Sequence, residues 1–377
     1  MRNAPCRRLR GGVLSTEVFG QIVTPEAVFP GRVVFDQRIV SIEPLPDAPR
    51  QWILPGALDW HNHGGGGGDV MEGESGIRAL ARTHAQFGMT GFLATTVTAD
   101  QAAITQALHA ARVVMDNPGQ DEARCHGVHL EGPYLSPGKL GAQPPMTRPV
   151  DARELRDWLQ LGVIRVITYA PEMDPDCVLP DLADEFGVRL QLGHTACAYH
   201  DALMRLQSGH GVTHLYNAMS GVSHREPGMA LAALNHAQYC EIICDGVHVE
   251  APAFELARRQ IPKLYAVTDA TAASGMPDGS YALGTHSVCK VGDAVRLADG
   301  TLAGSAATAV TGLQTLLQFG MDVPEVAAIM AQRPAEWLGL TDRGALALGN
   351  YADLWVWDGH QTQAVWLEGR LLSTNSR

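Results

Sequence analysis

The feature that most constrains the fold is a series of eight short apolar segments that alternate with segments of helical periodicity. The apolar segments have the length and composition of buried strands, and they lie at residues 52–59, 91–97, 125–130, 163–169, 189–193, 211–214, 239–244 and 263–268. Helical patterns lie between most of them, at residues 75–87, 100–115, 151–161, 179–186, 199–208 and 252–260. Eight repeats of strand and helix predict an α/β fold, a closed (β/α)8 TIM-like barrel.

A doubly wound open sheet is the alternative fold. It is disfavoured because no Gly-x-Gly-x-x-Gly motif follows the early strands. The run of five glycines at residues 64–68 lacks a following Lys and Ser or Thr, so it is not a phosphate-binding loop of the P-loop type.

Short β-like segments also occur near both chain ends, at residues 31–35, 38–42, 352–358 and 364–370. Neither end has enough apolar surface to form an independent sheet. We therefore expect the two ends to pair into one small β-sandwich domain beside the barrel. This predicts that residues 1–52 and 343–377 form the small domain and residues 53–342 form the barrel.

Composition narrows the possible partners. The formal net charge of −12 disfavours nucleic acid and an anionic membrane surface as partners, and an anionic substrate would need local positive charge. No apolar run approaches the ~20 residues of a membrane span. The seven cysteines are widely spaced and include no Cys-x-x-Cys motif, which predicts free thiols, a reducing compartment and a cytoplasmic protein.

Metal-binding and acid–base residues end or follow six of the predicted strands: His61 and His63, Glu131, His194, His214, His248, and Asp269. Residues i and i+2 of a strand point to the same side, so the first two histidines can present both imidazoles together. A lone His-x-His could equally be two surface histidines before a flexible loop. In a barrel, however, all these strand ends converge on the face that holds active sites, and imidazole suits zinc, iron or nickel.

Several motifs carry a resemblance to a known family, and they lie at residues 54–56, 129–133, 193–194, 213–219, 225–228, 245–248, 268–270, 302–305 and 349–353. Over nearly its whole length the chain resembles the amidohydrolase superfamily and, within it, the deacetylases of N-acetylated amino-sugar 6-phosphates. The segment that contains His214 and Asn217 and the following Arg225-Glu-Pro-Gly are the most specific motifs.

The resemblance implies a divalent metal centre with the ligands His61, His63, Glu131, His194, His214 and Asp269. Glu131 is expected to bridge two ions. Some members of the superfamily replace the first two histidines and use one ion. Because His61 and His63 are both present here, two ions per chain are favoured over one, with zinc as the expected metal. Asp269 is the implied catalytic base, which takes a proton from water and passes it to the leaving amine.

The implied reaction is hydrolysis of the acetamide of N-acetyl-D-glucosamine 6-phosphate to D-glucosamine 6-phosphate and acetate. The alternatives are the N-acetylgalactosamine epimer, or an N-acyl amino acid as the substrate. The implied substrate-binding residues are Ala142, Gln143, Asn217, Ala218, Arg225, His248, Leu302, Ala303 and Gly304. The resemblance also implies a homodimer in which Arg225 and His248 reach the neighbouring site. Gln143 departs from the family, which usually has histidine there, and His224 replaces a small residue.

Overall fold

The computed structural model of this chain describes residues 6–10 and 13–372. The predicted small domain therefore includes residues 1–5, 11–12 and 373–377, which lie outside the described residues. In chain order the strands are β1 (Cys6–Arg10), β2 (Val13–Val23), β3 (Val28–Phe35), β4 (Ile39–Pro44), β5 (Trp52–Pro55), β6 (Ala57–Asn62), β7 (Gly64–Gly65), β8 (Gly68–Asp69), β9 (Met89–Thr95), β10 (Arg124–Glu131), β11 (Ile164–Tyr169), β12 (Arg189–Leu192), β13 (Gly211–Val212), β14 (Tyr239–Ile243), β15 (Lys263–Val267), β16 (Gly279–Leu283), β17 (His286–Val291), β18 (Ala294–Arg296), β19 (Leu302–Ser305), β20 (Leu354–Trp357), β21 (Thr362–Leu367) and β22 (Arg370–Leu372).

The α-helices are α1 (Glu74–Ala85), α2 (Gln101–Asp116), α3 (Ala152–Leu159), α4 (Val178–Phe186), α5 (Tyr199–Gln207), α6 (Met229–His236), α7 (Ala251–Gln260), α8 (Ala309–Gln318), α9 (Val323–Ala327) and α10 (Arg333–Trp337). Single 3-10 turns lie at Val70–Glu72 and Pro171–Met173, and a π-helical turn at Ala328–Gln332 joins α9 to α10. Within residues 6–10 and 13–372, no helix is both long enough and apolar enough to cross a bilayer.

The parallel barrel forms as predicted. Within residues 13–372, eight strands lie side by side in the order β6, β9, β10, β11, β12, β13, β14 and β15, and each neighbouring pair is parallel. The last strand returns to the first, because Asn62 and Ala270 form a parallel bridge and the Asp269 amide donates to the His61 carbonyl at 2.9 Å. We call this junction of β6 and β15 the seam. It closes the barrel, so the open-sheet alternative is wrong.

Local sequence sets the start of several outer helices. The carboxylate of Asp100 accepts a hydrogen bond from the backbone of Ala103, and Asp151 accepts two in the same way at the start of α3. These caps satisfy amide groups that would otherwise lack partners at a helix start. The helices then bury one apolar face each against the barrel strands, as Ile77 and Leu80 do in α1.

The chain ends form the small sandwich domain. The order of its sheet is β22-β21-β20-β5-β2-β3-β4, with β1 also paired to β2. Its strands enclose a separate apolar core that contains Ile22, Phe35, Ile53 and Trp366.

The strand expected at residues 52–59 is in fact two strands, and that prediction was wrong. Its first half, β5, lies in the sandwich between β2 and β20, and its second half, β6, begins the barrel. The chain turns between them at Gly56, where an added Cβ would lie 2.2 Å from Cγ2 of Thr90. This pairing favours a domain boundary at Gly56 rather than at residue 52.

Two further elements differ from the sequence-based expectations. The helix α6 was missed, because its short apolar sequence is buried around most of its surface and shows no amphipathic pattern. Residues 279–305 lie outside the predicted barrel strands and form a four-stranded antiparallel sheet, β16 to β19. A bridge between Ala270 and Ser305 brings β19 back to the end of β15.

Candidate metal centre and active site

Polar side chains converge at the carboxyl ends of the barrel strands. His61 lies on β6 with His63 just after it, Glu131 ends β10, and one ligand candidate follows each of β12, β13 and β15. All six predicted metal ligands are at least nine-tenths buried. The ends of parallel strands meet on one face of a barrel, which explains how residues far apart in sequence come together.

The first group of ligand atoms surrounds Oε1 of Glu131. This oxygen lies 3.1 Å from Nε2 of His194 and 3.1 Å from Nε2 of His214. The two nitrogen atoms are themselves 3.1 Å apart. The three atoms therefore face a common point.

The second group contains His61, His63 and Asp269. Nε2 of His61 lies 3.2 Å from Nε2 of His63, and Oδ1 of Asp269 lies 3.5 Å from the first nitrogen and 3.2 Å from the second. Oε2 of Glu131 is 3.2 Å from Nε2 of His63. Glu131 therefore stands between the two groups and directs one oxygen toward each.

The hydrogen bonds of the Nδ1 atoms show whether these histidines suit a metal ion. Nδ1 of His63 lies 3.1 Å from the carbonyl oxygen of Thr95, and Nδ1 of His194 lies 2.8 Å from that of Lys139. A carbonyl oxygen only accepts, so Nδ1 is the donor in both rings and Nε2 is the nitrogen left to bind an ion. Nε2 atoms this close to one another need a common partner, and a shared cation is one. The residues therefore fit a divalent metal ion.

The charges in the site favour a cation as well. Burial alone would lower the pKa of His63, but the carboxylates of Asp269 and Glu131 outweigh it and raise that pKa to about 9. Burial would raise the pKa of Asp269, but His61 and His63 outweigh it and lower that pKa to about 2. The carboxylates are thus ionised at neutral pH and attract positive charge.

The backbone turns sharply at three ligand candidates. The φ angles are 47° at His194, 27° at His214 and 50° at Asp269, in the left-handed region that residues other than glycine rarely adopt. Such strain is stored mainly at functional sites.

Five of the six ligand candidates, all except His61, line a cavity of about 230 Å³. The cavity brings together most of the predicted substrate-binding residues, namely Ala142, Gln143, Asn217, Ala218, His248, Leu302 and Gly304. Val97, Leu283 and Thr301 also line it and were not predicted. Leu283 ends β16 and Thr301 precedes β19, and the sequence around these two residues gave no indication that they line the site.

For three predicted binding residues, the position or the role differs from the expectation. Ala303 is not in the cavity wall, because its side chain points away into the apolar core of the four-stranded sheet. Arg225 is exposed and does not line the cavity of its own chain. His248 was expected to reach a neighbouring site, but it lines the cavity of its own chain, where Nδ1 lies 2.6 Å from Oδ2 of Asp245. Asp245 also accepts hydrogen bonds from two backbone amides of this turn and so fixes the ring in place.

Sequence reasoning missed two buried carboxylates near the centre. Glu241 lies 3.0 Å from Nδ1 of His61, and Asp59 accepts a hydrogen bond of 3.0 Å from Asn62. Burial raises the pKa of Asp59 to about 6 despite its hydrogen bonds. The available signal was the presence of a charged residue inside an apolar strand, which is rare without a partner.

The glycine run forms a small hairpin, β7 and β8, that packs against the loop after β15. The amides of His63 and Gly64 both donate to the carbonyl of Ala270, at 2.8 and 3.1 Å. A Cβ on Gly64 would lie 2.5 Å from the carbonyl oxygen of Gly68 and 2.6 Å from the amide nitrogen of Ala272. Only glycine allows backbones to approach this closely.

Comparison with known proteins places this geometry in a family. The amidohydrolase family profile matches residues 52–373. The N-acetylglucosamine-6-phosphate deacetylase of Vibrio furnissii is 36% identical over 332 residues, which cover 85% of this chain and 82% of the relative. The N-acetylgalactosamine-6-phosphate deacetylase of Escherichia coli O157:H7 is 34% identical over 359 residues, which cover 90% and 94%.

A solved structure has the same fold. It is a mutant of the N-acetyl-D-glucosamine-6-phosphate deacetylase of Mycobacterium smegmatis in complex with N-acetyl-D-glucosamine-6-phosphate. It matches with a TM-score of 0.87 and 30% identity, over 95% of this chain and 99% of that chain. The family profile spans most of the chain, and the sequence relatives match over most of their own lengths. This chain therefore belongs to the amidohydrolase family.

Proposed function

We propose that this chain hydrolyses the acetamide of N-acetyl-D-glucosamine 6-phosphate and releases D-glucosamine 6-phosphate and acetate. The observation that carries the proposal is the position of Asp269. Its carboxylate lies beside the four-histidine cluster, on the floor of a cavity that also presents Asn217 and His248. This arrangement places a proton acceptor, cation ligands and polar binding groups around one reacting centre.

We propose two divalent ions per chain, with zinc as the metal. His194 and His214 would hold one ion, His61 and His63 the other, and Glu131 would contact both. A bound ion of this kind polarises a carbonyl and lowers the pKa of water to ~7.

The chain's own residues carry out the proton transfers in this proposal. Asp269 is ionised at neutral pH and accepts a proton from the attacking water. It then delivers that proton to the amine nitrogen as the amide C–N bond breaks, so acetate and a free amine leave. The buried position of Asp269 keeps bulk water from competing for the proton.

Positive charge for the phosphate group would come from His248 and Arg225. The Asp245 carboxylate beside His248 outweighs burial and raises the pKa of His248, which favours its charged form. Arg225 is exposed outside its own cavity. We therefore propose that it reaches the cavity of a second copy in a homodimer, where its planar fork can bind phosphate with two donors.

The second candidate substrate is N-acetylgalactosamine 6-phosphate. It is favoured by the Escherichia coli relative, which is named for that epimer and matches over 90% of this chain. The two epimers differ in one hydroxyl configuration, which the same reacting groups can accommodate.

The decisive experiment measures kcat/KM for acetate release from both sugar phosphates and from both unphosphorylated sugars, with the bound metal quantified. We expect the highest value for N-acetylglucosamine 6-phosphate. A higher value for the galactosamine epimer would support the second candidate. Equal values with and without phosphate, together with rapid hydrolysis of N-acetyl amino acids, would refute both and favour an acylase.

We further propose a cytoplasmic location. The six cysteines from Cys125 to Cys289 are all free, as a reducing compartment predicts.

A further inference from the structure

Glu241 is a fully buried carboxylate on β14, inside the barrel, and neither the proposed reaction nor the proposed ligand set uses it. A carboxylate in such a place is costly unless hydrogen-bond donors satisfy it. The donors that surround it therefore indicate what it does.

One oxygen of Glu241 contacts both groups of the metal centre. Oε2 lies 3.0 Å from Nδ1 of His61 and accepts a hydrogen bond of 3.3 Å from the backbone amide of His214. Because an ionised carboxylate only accepts, Nδ1 of His61 carries the hydrogen. Nε2 of His61 then faces His63 and Asp269 and is the nitrogen left to bind an ion.

The other oxygen anchors Glu241 from the opposite side. The hydroxyl of Tyr265 donates to Oε1 at 3.3 Å, and Nε2 of Gln191 donates to the same hydroxyl oxygen at 2.6 Å. These bonds hold the carboxylate so that Oε2 points at His61. These hydrogen bonds therefore fix the orientation of the side chain.

His61, His129 and Glu241 could themselves surround an ion, but the contacts of His129 argue against it. Its Nδ1 lies 2.8 Å from the Trp60 carbonyl, and its Nε2 lies 2.6 Å from Oγ1 of Thr168. Both ring nitrogens are therefore engaged in hydrogen bonds. Glu241 is better placed to orient a ligand than to serve as one.

We propose that Glu241 is a positioning residue for the ion that His61 and His63 would hold. It fixes the tautomer and the orientation of His61, and so sets how tightly this second ion binds. The inference rests on the proposed two-ion centre. Outer partners of metal-binding histidines typically change metal affinity by ~10- to 100-fold.

The test compares Glu241→Gln and Glu241→Leu with the wild-type holoenzyme in zinc buffers of graded free concentration, with ions per chain counted by elemental analysis. We expect two ions in the wild type and one in Glu241→Leu. Glu241→Gln keeps an oxygen that can accept from His61, so it should retain two ions but release one of them at about tenfold higher free zinc. Tyr265→Phe removes the hydrogen bond to Oε1 but leaves the one between Oε2 and His61, so it should keep both ions and weaken the binding of one of them less than Glu241→Gln does.

Melting temperatures separate positioning from a general loss of structure. Loss of both ions together, in parallel with a lower melting temperature, would mean that Glu241 is merely structural and would overturn the inference. Two ions of unchanged affinity in Glu241→Leu would overturn it as well. A wild-type protein that never binds a second ion would instead overturn the two-ion centre itself.

Discussion

Nε2 of Gln143 donates a hydrogen bond of 2.6 Å to Oε2 of Glu131, the carboxylate that stands between the two groups of metal ligands. The other end of the same side chain is fixed too, since its Oε1 accepts a hydrogen bond of 2.7 Å from the amide of Thr98. The family that the chain resembles usually has histidine at this position. The structure indicates that the glutamine supports Glu131 from a loop above the barrel.

Replacing Gln143 with leucine should therefore lower the catalytic efficiency, because Glu131 loses a hydrogen bond. We expect kcat/KM to fall ~10- to 100-fold, the usual effect of losing an outer partner of a metal ligand. Gln143→His is the matched control, because imidazole can also donate one hydrogen bond, and it should retain most activity. Wild-type kcat/KM in Gln143→Leu would show that the hydrogen bond has no catalytic importance.

The Asp269→Asn variant should lose turnover and keep its fold. The amide cannot accept the proton of the attacking water, and general acid–base groups typically contribute ~10²- to 10⁴-fold to rate. Acetate release under saturating substrate measures kcat, and elemental analysis reports the bound metal. Because asparagine retains an oxygen at the same place, we expect metal to remain bound. Turnover close to that of the wild type would eliminate Asp269 as the base.

Arg225→Ala should raise KM for the phosphorylated sugar and leave the unphosphorylated sugar unaffected. A hydrogen bond to a charged group is worth ~1.5–3 kcal/mol, so KM should rise about tenfold or more. If Arg225 acts across a dimer interface, co-expression of Arg225→Ala with Asp269→Asn should give mixed dimers with one intact site each. Random pairing makes half of the dimers mixed, so about a quarter of all sites should be active. Activity no greater than that of the separate variants would place Arg225 in its own chain's site or away from the substrate.

Stability should decrease in mild acid partly because of His210. Burial, helped by the charge of Arg205, lowers the pKa of His210 to about 4. Its ordinary pKa is ~6.5, so between pH 6.5 and 4 the unfolded chain binds more protons at this residue and the free energy of unfolding falls as pH falls. His210→Phe should flatten this decline by up to ~1.4 kcal/mol per pH unit.

Urea unfolding at several pH values, with saturating zinc, measures that difference. Protonation of the metal ligands contributes equally to both proteins, so the difference in slope isolates His210. Activity at pH 7 should be unchanged and serves as the control. Identical slopes for the two proteins would contradict the assignment of a lowered pKa to this histidine.

The metal-ligand candidates could be predicted from sequence because each is a polar residue at the end of an apolar strand. The rule that parallel strand ends meet on one face brought His61 and Asp269 together, and the family resemblance implied their roles. Glu241 could not be found in this way, since it lies in the middle of a strand and its role depends on which neighbour it contacts across the barrel. The same limit applies to Gln143, whose loop has no periodicity that fixes where it folds.

The division at Gly56 was missed for a different reason. The residues on both sides of it are apolar and β-prone, so the local pattern is the same for one strand or two. The break arises from tertiary contacts with Thr90 and with the carbonyl of Asp353, to which the Gly56 amide donates at 3.0 Å. Sequence periodicity carries no information about such distant partners.

The seam between β6 and β15 has a consequence for folding. His61 lies on the first barrel strand and Asp269 follows the last, so an ion bound between them would act as a reversible cross-link that closes the longest loop of the barrel. Closing a long loop is entropically costly for the unfolded chain. We therefore expect metal binding to stabilise the closed barrel, and amide protons at the seam should be the ones whose hydrogen exchange slows most when the ion binds.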